Sequence, residues 1–352
     1  MSGPDECKST PPEGRSQRFL RSFAHAAPVA FATLALLGTA PRARADESGT
    51  SFWQPGAYDD RAAIPNSPGW SVSATPYHST VYASSSVSTA TLVRTGRLNQ
   101  NAVGDVSATS ANFENIFTLS PSYGFALPDL GAQAAVSVST VVGKASTTES
   151  GALAASLGTK GVATNFSFGD SISGFGDLAP QLSLYWTRGV NNFMVYATGN
   201  APVGEYSQRR LANLGIGHGA VDGGLGYTYS NSDAKLEFSA VAGFTYNQIN
   251  PFTNYRSGVD FHLDVGASTS LNERLSVGPV GYLYDEIGCD GGSGDHFGCF
   301  RSRVAGLGAR AAYNVALSDA QASFSLKAYG EFAADNRPAG WNLRLAVSIS
   351  RK

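Results

Sequence analysis

The feature that most constrains this chain is an alternation of apolar and polar residues that repeats every two positions. In KLEFSAVAGFTYN, at 235–247, Leu236 and Phe238 fall on one face, whereas Lys235 and Glu237 fall on the other. A pleated strand sorts residues in this way, whereas helical spacing would scatter them around a cylinder. The sequence therefore predicts long β-strands with one apolar face, and the pattern recurs at 259–271, 322–332 and 338–350.

Turn-forming residues divide the chain into twelve predicted strands, and the connections between them alternate in length. Long loops are expected at 84–106 and 146–172, while the last loop, 334–337, is short. Long loops at one end and short turns at the other are typical of even-stranded outer-membrane barrels. The predicted strands are 70–83, 107–126, 131–145, 173–187, 191–204, 216–230, 234–248, 257–271, 274–288, 301–315, 320–333 and 338–350.

Strands of this length exceed those of most soluble sheets and suit a bilayer crossing. Unpaired sheet edges cannot exist in hydrocarbon, so the first and last strands must pair with each other. We therefore predict an all-β fold, a transmembrane antiparallel up-and-down β-barrel of about twelve strands, at 70–352. The expected location is the outer membrane of a Gram-negative bacterium.

The first 45 residues have the organisation of a removable signal peptide. Three arginines, the last of them Arg21, precede an apolar run at 26–37 that is too short to span a bilayer as a helix. The sequence Ala43-Arg44-Ala45 then supplies the small-x-small pattern of a cleavage site. We expect residues 1–45 to be removed on export.

Residues 46–69 form a separate N-terminal segment that contains Pro55, Pro65 and Pro68. Proline cannot donate to a sheet ladder, so this segment is not expected to form a lipid-facing strand. Two placements remain open: the segment lies in the periplasm, or it folds into the barrel mouth as a small plug.

The composition excludes several classes of protein. The chain carries 25 Lys and Arg against 27 Asp and Glu, a net charge of −2, and offers no basic patch for nucleic acid. The sequence contains no nucleotide-binding loop, EF-hand or zinc motif, so no cofactor is expected.

Two cysteines, Cys289 and Cys299, lie ten positions apart in the Gly-rich segment GCDGGSGDHFGC. An even pair in an oxidising compartment favours a local disulfide. A metal site that adds Asp290, Asp295 and His296 to the cysteines is the alternative, but zinc usually requires closer ligand pairs. We therefore predict a disulfide and no metal.

Charged residues collect on the polar, inward faces of the predicted strands. Two interpretations are open: they tune the selectivity of a solute path, or they form a salt-bridged network that fills the lumen. Keeping Arg303 inward while Leu307 points outward requires a bulge near Gly306 in the tenth strand. The candidate residues are Asp177, Asp222, Glu237, Asp260, His262, Asp264, Arg303, Lys327, Glu331 and Arg344.

Two other classes of function are weighed against a channel. Asp260, His262 and Asp264 share one strand face, which is compatible with a barrel enzyme that hydrolyses lipid or peptide. No nucleophile motif accompanies them, so no enzyme is expected. A structural or adhesive barrel would display the Ser/Thr-rich loops 84–106 and 146–172.

An ordered series of short motifs runs through most of the chain after residue 50. It resembles the meta-pathway phenol-degradation outer-membrane proteins. The resemblance implies a porin-like transporter for small hydrophobic or aromatic compounds, with outer-membrane lipid, a small-molecule solute and the barrel-assembly machinery as partners. Outer-membrane barrels commonly end in an aromatic residue, whereas the last residues of this chain are Ile349-Ser350-Arg351-Lys352. The motifs are SFWQPG (51–56), SPGW (67–70), SPSYGFALP (120–128), GFGDLAPQLSLYW (174–186), APVGEYSQRRLANLG (201–215), LEFSAVAGFTYN (236–247), NPFTNYRSGVDFHLD (250–264), LSVGPVGYLY (275–284), FRSRVAGLG (300–308) and FAADNRPAGWNL (332–343).

Overall fold

The computed structural model describes residues 51–95, 98–295 and 298–351, so the predicted signal peptide lies outside the described residues. The described chain contains no helix long and apolar enough to cross a membrane. A short 3-10 helix, Pro128–Leu130, connects β2 to β3. The strands are β1 Gly69–Thr95, β2 Leu98–Leu127, β3 Ala132–Leu157, β4 Lys160–Arg188, β5 Asn191–Asn200, β6 Ala220–Asn231, β7 Leu236–Asn247, β8 Val259–Ser270, β9 Leu275–Glu286, β10 Arg303–Ala316, β11 Ala320–Asp335 and β12 Ala339–Arg351.

The twelve strands close into a barrel in which each strand neighbours the next along the chain. The last strand returns to the first: β1 pairs antiparallel with β12, from Ser71 opposite Ser350 to Tyr82 opposite Ala339. The predicted fold class, an antiparallel up-and-down barrel of about twelve strands, is confirmed. Closure leaves no unpaired edge where β1 and β12 meet.

The alternation in the sequence becomes an inside and an outside. Along β8, Asp260, His262 and Asp264 are buried, whereas Phe261 and Leu263 between them are half-buried. On the outer face, large apolar side chains are exposed, for example Leu225, of which 65% is exposed. An apolar outer face with a polar inner face is the arrangement of outer-membrane barrels.

The connections define two ends of the barrel. At the end that we call the turn end, the strands are joined by 128–131, 189–190, 232–235, 271–274 and 317–319. At the end that we call the loop end, the connections are 201–219, 248–258, 287–302 and 336–338.

The structure corrects two predicted loops. Residues 84–106 and 146–172 were expected to be loops, but β1 extends to Thr95 and β4 begins at Lys160. In these stretches serine, threonine and alanine occupy both faces, so the period-two signal disappears while backbone pairing continues. Residues 86–108 and 151–166 belong to a compact unit separate from the one that contains the rest of the described chain.

We predict that Leu225→Arg destabilises the barrel in lipid vesicles. Leu225 lies at the centre of β6 and faces outward, so an arginine there should cost about 2–4 kcal/mol in unfolding free energy, measured by urea titration. As the control, Leu271→Arg places the same charge in an exposed turn and should cost about 0–1 kcal/mol. Equal losses in the two variants would contradict a lipid-facing outer wall.

Candidate functional site: the polar bore and its N-terminal segment

The inner faces of β6 to β12 carry many polar side chains that are buried. Those named below are at most 7% exposed, although several are charged. Buried charges are stable only when they are paired and hydrogen-bonded, so this part of the wall must have partners inside the barrel. The side chains are Asp222, Thr228, Ser239, Thr245, Asp260, His262, Asp264, Ser268, Ser276, Arg310, Ser325, Lys327, Asn342 and Arg344.

Several of these partners belong to one stretch of the same chain, residues 51–64, which we call the bore segment. At the loop end, Arg337 donates a hydrogen bond to the Ser51 hydroxyl over 3.2 Å. Near the turn end, Arg61 pairs with Glu237 at 2.5 Å, and the Ala63 N–H donates to the Thr228 hydroxyl at 3.0 Å. The bore segment therefore runs lengthwise along the inner wall, from the loop end toward the turn end.

Two charged side chains of the wall hold the backbone of the bore segment. Lys327 Nζ donates to the carbonyl oxygens of Gly56, Ala57 and Tyr58 at 2.8, 3.1 and 3.2 Å. The Asp264 carboxylate accepts from the N–H groups of Gly56 at 2.9 Å and Tyr58 at 3.0 Å. An irregular backbone inside a barrel needs such partners, because it has no sheet ladder to satisfy its polar groups.

A second contact joins the carboxylates of the bore segment to the wall. Asp60 pairs with Arg310 at 2.7 Å, and Arg310 Nε lies 3.3 Å from Asp59. Burial raises the pKa of Asp60 to about 6, helped by the neighbouring Asp59 charge and opposed by Arg310. Burial also opposes ionisation of Asp59, but the charges of Lys327 and Arg310 outweigh it and lower its pKa. These carboxylates anchor the segment through buried ion pairs.

Aromatic stacking covers the only histidine of the predicted face. The Trp53 and His262 ring centroids lie 3.7 Å apart at an interplanar angle of 12°, and the Tyr196 ring stacks on Trp53 with centroids 6.0 Å apart. His262 Nε2 lies 2.9 Å from Asp222, on β6. The carboxylate partner of His262 is thus neither Asp260 nor Asp264, although all three share the inner face of β8. His262 is fully buried, which leaves no room for a substrate beside its imidazole.

Cavities lie at both ends of the bore segment. A cavity of about 100 Å³ at the loop end is lined by Trp53, Tyr77, Ser79, Glu114 and Arg337, among others. A larger one of about 1100 Å³ lies at the turn end and is lined by Arg61, Glu237 and residues of the adjoining turns. The bore segment therefore lies between two open spaces.

Two further predicted residues, Glu331 and Asp177, bind different parts of the chain. Glu331 accepts from the Tyr282 hydroxyl at 2.6 Å and from the Gly340 N–H at 3.0 Å, within the inner wall. Asp177 instead binds the 201–219 connection, where it accepts from the N–H groups of Gly204 and Ile216 at 2.8 and 2.9 Å.

The inward placement predicted for Arg303 is wrong. Arg303 is exposed and lies on the same face as Leu307, because β10 pairs with β9 without interruption down to Tyr313. The register shift occurs against β11 instead, where Ala333 has a φ of 51°. The bulge therefore belongs to β11, and nothing turns the start of β10 inward.

The residues of the site that were not predicted include Asp59, Asp60 and Arg310. The alternation could have identified Arg310, since Leu307 and Tyr313 point outward and position 310 must then point inward. The signal for the two aspartates was an acidic pair inside an otherwise strand-free segment. Their partner lies 250 residues away, and no local pattern identifies it.

In the 287–302 connection, Cys289 and Cys299 form a disulfide with a Cα–Cα distance of 4.5 Å. Both sulfurs are thereby occupied. Asp290 accepts from the N–H groups of Gly258 and Phe300, each at 3.2 Å. His296 lies outside the described residues, among which no cluster of His, Cys, Asp or Glu suits a metal ion.

The closed cylinder, its apolar exterior and its charged bore define an outer-membrane-type β-barrel. A family model described as "Putative MetA-pathway of phenol degradation" matches residues 95–347. The chain belongs to this family. No match was found among curated protein sequences.

A solved structure shares this kind of fold, and two others match at lower similarity. The COG4313 outer membrane channel from Pseudomonas putida F1 is 16% identical, with a TM-score of 0.60 over 85% of this chain and 100% of that chain. OccK7 from Pseudomonas aeruginosa is 8% identical, with a TM-score of 0.32 over 80% of this chain and 99% of that one. The CymD monoaromatic hydrocarbon channel is 9% identical, with a TM-score of 0.28 over 82% and 89%.

We predict that Arg310→Met loosens the bore segment. The change leaves Asp60, which is completely buried, without its cation, a loss of about 3–5 kcal/mol for a broken buried pair. Hydrogen exchange followed by mass spectrometry should show faster exchange at residues 56–63.

The matched control removes the charges on both sides. Adding Asp60→Asn to Arg310→Met should restore much of the protection, because the buried carboxylate that lost its cation is then neutral, while Asp59 keeps Lys327 as its cation. Unchanged exchange in Arg310→Met would show that the ion pairs do not hold the segment.

Proposed function

We propose that this protein is an outer-membrane channel that passes small solutes, including aromatic compounds, into a Gram-negative cell. One observation carries the proposal: a closed cylinder with an apolar exterior encloses a polar bore with a cavity at each end. A soluble barrel would present polar side chains on its outer face, and a barrel filled with side chains would not have open space at both ends of its bore.

The aromatic part of the proposal comes from the family, whose description names phenol degradation. The COG4313 structure, described as an outer membrane channel, shares the barrel fold and supports a channel rather than another use of it. The partners that follow are outer-membrane lipid, the assembly machinery that inserts barrels, and the solute.

The bore segment takes the role of a plug that is part of the channel wall. Of the two interpretations of the inward charges, the contacts favour the network: Asp264, Lys327 and Arg344 bind the backbone of residues 55–58. They set the shape of the path by fixing the segment. A hydrolytic role is not favoured, because Trp53 covers the His262–Asp222 pair.

Single-channel recording in planar bilayers tests the proposal. The refolded protein should insert with stepwise increases in current. Asp264→Ala and Arg344→Ala should raise the current per step, since each removes hydrogen bonds that hold the segment against the wall.

Asp233→Ala, in the exposed turn between β6 and β7, is the control and should leave the current unchanged. Absence of any current from correctly folded protein, with folding judged by a mobility shift on boiling in detergent, would contradict a channel. Unchanged current in both bore variants would contradict the role given to the segment.

A further inference from the structure

The two sides of the inner wall differ in how much of their surface is open. The inward polar side chains of β6 to β12 are mostly buried, and several of them hydrogen-bond to the bore segment. On β1 to β3, most inward side chains are only half-buried, for example Ser73, Ser120 and Ser139. Half-burial inside a closed cylinder means that space remains in front of these residues.

Eight inward side chains of β1 to β3 carry hydroxyls, and we call this group the hydroxyl stripe. Ser71 lies 2.6 Å from Ser122 across β1 and β2, and Ser120 lies 2.7 Å from Ser139 across β2 and β3. Leu119 and Val138, at alternating positions, are exposed on the outer face. The stripe consists of Ser71, Ser73, Thr75, Thr118, Ser120, Ser122, Ser137 and Ser139.

The bore segment is held by strands other than β1 to β3. Its hydrogen bonds reach β4, where the Gln181 amide donates to the Tyr58 hydroxyl at 3.2 Å, and also β6 to β8 and β10 to β12. At the turn end, the chain that follows the segment reaches β1 and β3: the Asn66 amide donates to the Ser71 hydroxyl at 3.4 Å, and the Gln133 amide donates to the Asn66 carbonyl oxygen. The segment therefore fills one side of the bore and faces the stripe across the other.

The loop-end cavity continues this open side. Tyr77 and Ser79, which line the cavity, follow Thr75 on the same inner face of β1. Charge is confined to that end: Ser79 donates to Glu114 at 3.4 Å, and Arg344 lies over the Tyr77 ring at 4.4 Å. Beyond it, the stripe is polar but uncharged.

We propose that solute passes lengthwise between the bore segment and the hydroxyl stripe, and that the stripe favours small, uncharged, hydroxyl-bearing molecules. This inference rests on the proposed function and names its path and substrate class. Each hydroxyl both donates and accepts hydrogen bonds, so the stripe replaces the water that an alcohol or phenol loses on entry. It offers no fixed charge to compensate the desolvation of an ion.

Cysteine accessibility locates the path. In the described chain both cysteines are joined in a disulfide, so an introduced thiol is the target for a methanethiosulfonate reagent. Ser120→Cys on the stripe should react at least about tenfold faster than Ser239→Cys, which is fully buried and reacts only when the segment opens locally. Both positions replace an inward serine, so the pair is matched.

The same variants give a second measurement. Modification of Ser120→Cys should reduce the single-channel current, whereas the same reagent should leave the current of the wild-type protein unchanged. Equal reaction rates, or full modification of Ser120→Cys without loss of current, would overturn the proposed path. Ser139→Cys provides a second position on the stripe should Ser120→Cys fail to fold.

Vesicle swelling tests the substrate class. Vesicles with wild-type protein should swell faster in glycerol than in sodium lactate, which is similar in size but charged. Faster swelling in lactate would overturn the class while leaving a channel intact. A wild-type protein that passes neither current nor solute contradicts the proposed function instead, and the relative cysteine reaction rates then still decide whether the stripe is open to water.

Discussion

The clamp that Asp264 and Lys327 make on residues 56–58 is the interaction on which the rest of the structure depends. A twelve-stranded cylinder is too wide for its own side chains to fill and too narrow to admit a folded domain. A Pro-containing segment fills the space but has no ladder for its backbone. One carboxylate and one ammonium supply five hydrogen bonds in its place. The charged side chains of the inner wall therefore satisfy the hydrogen bonds of an irregular backbone.

Most of the fold was predictable because lipid imposes a period of two on every crossing strand. Prediction from the period of two failed where that constraint ends. In β1 beyond Tyr82 and in β4 before Asp177, small polar residues lie on both faces. Pairing there depends on backbone hydrogen bonds, which leave no mark in the side-chain pattern. The same limit explains Arg303, for which a bulge was assigned to β10 although the irregularity lies in β11.

The candidate site was predictable in part. Alternation identifies which residues face inward, and it placed His262, Asp264, Lys327 and Arg344 correctly on the inner wall. It cannot identify their partners, because Gly56 and Asp264 are 208 residues apart and meet only when the barrel closes. The contrast between a covered wall and an open stripe likewise arises from where the segment lies, since serine occurs on the inner face of both sides.

The central claim is that the bore segment is a fixed part of the channel wall and that solute passes beside it. A reversible tether tests this most directly, with cysteines introduced at Ala63 and Thr228, whose backbone N–H and side chain are already in contact. Oxidation should lock the segment to β6 and leave the single-channel current as it is in the reduced protein. Loss of current on oxidation, restored by a reductant, would show that the segment must leave the bore for conduction and would contradict the account.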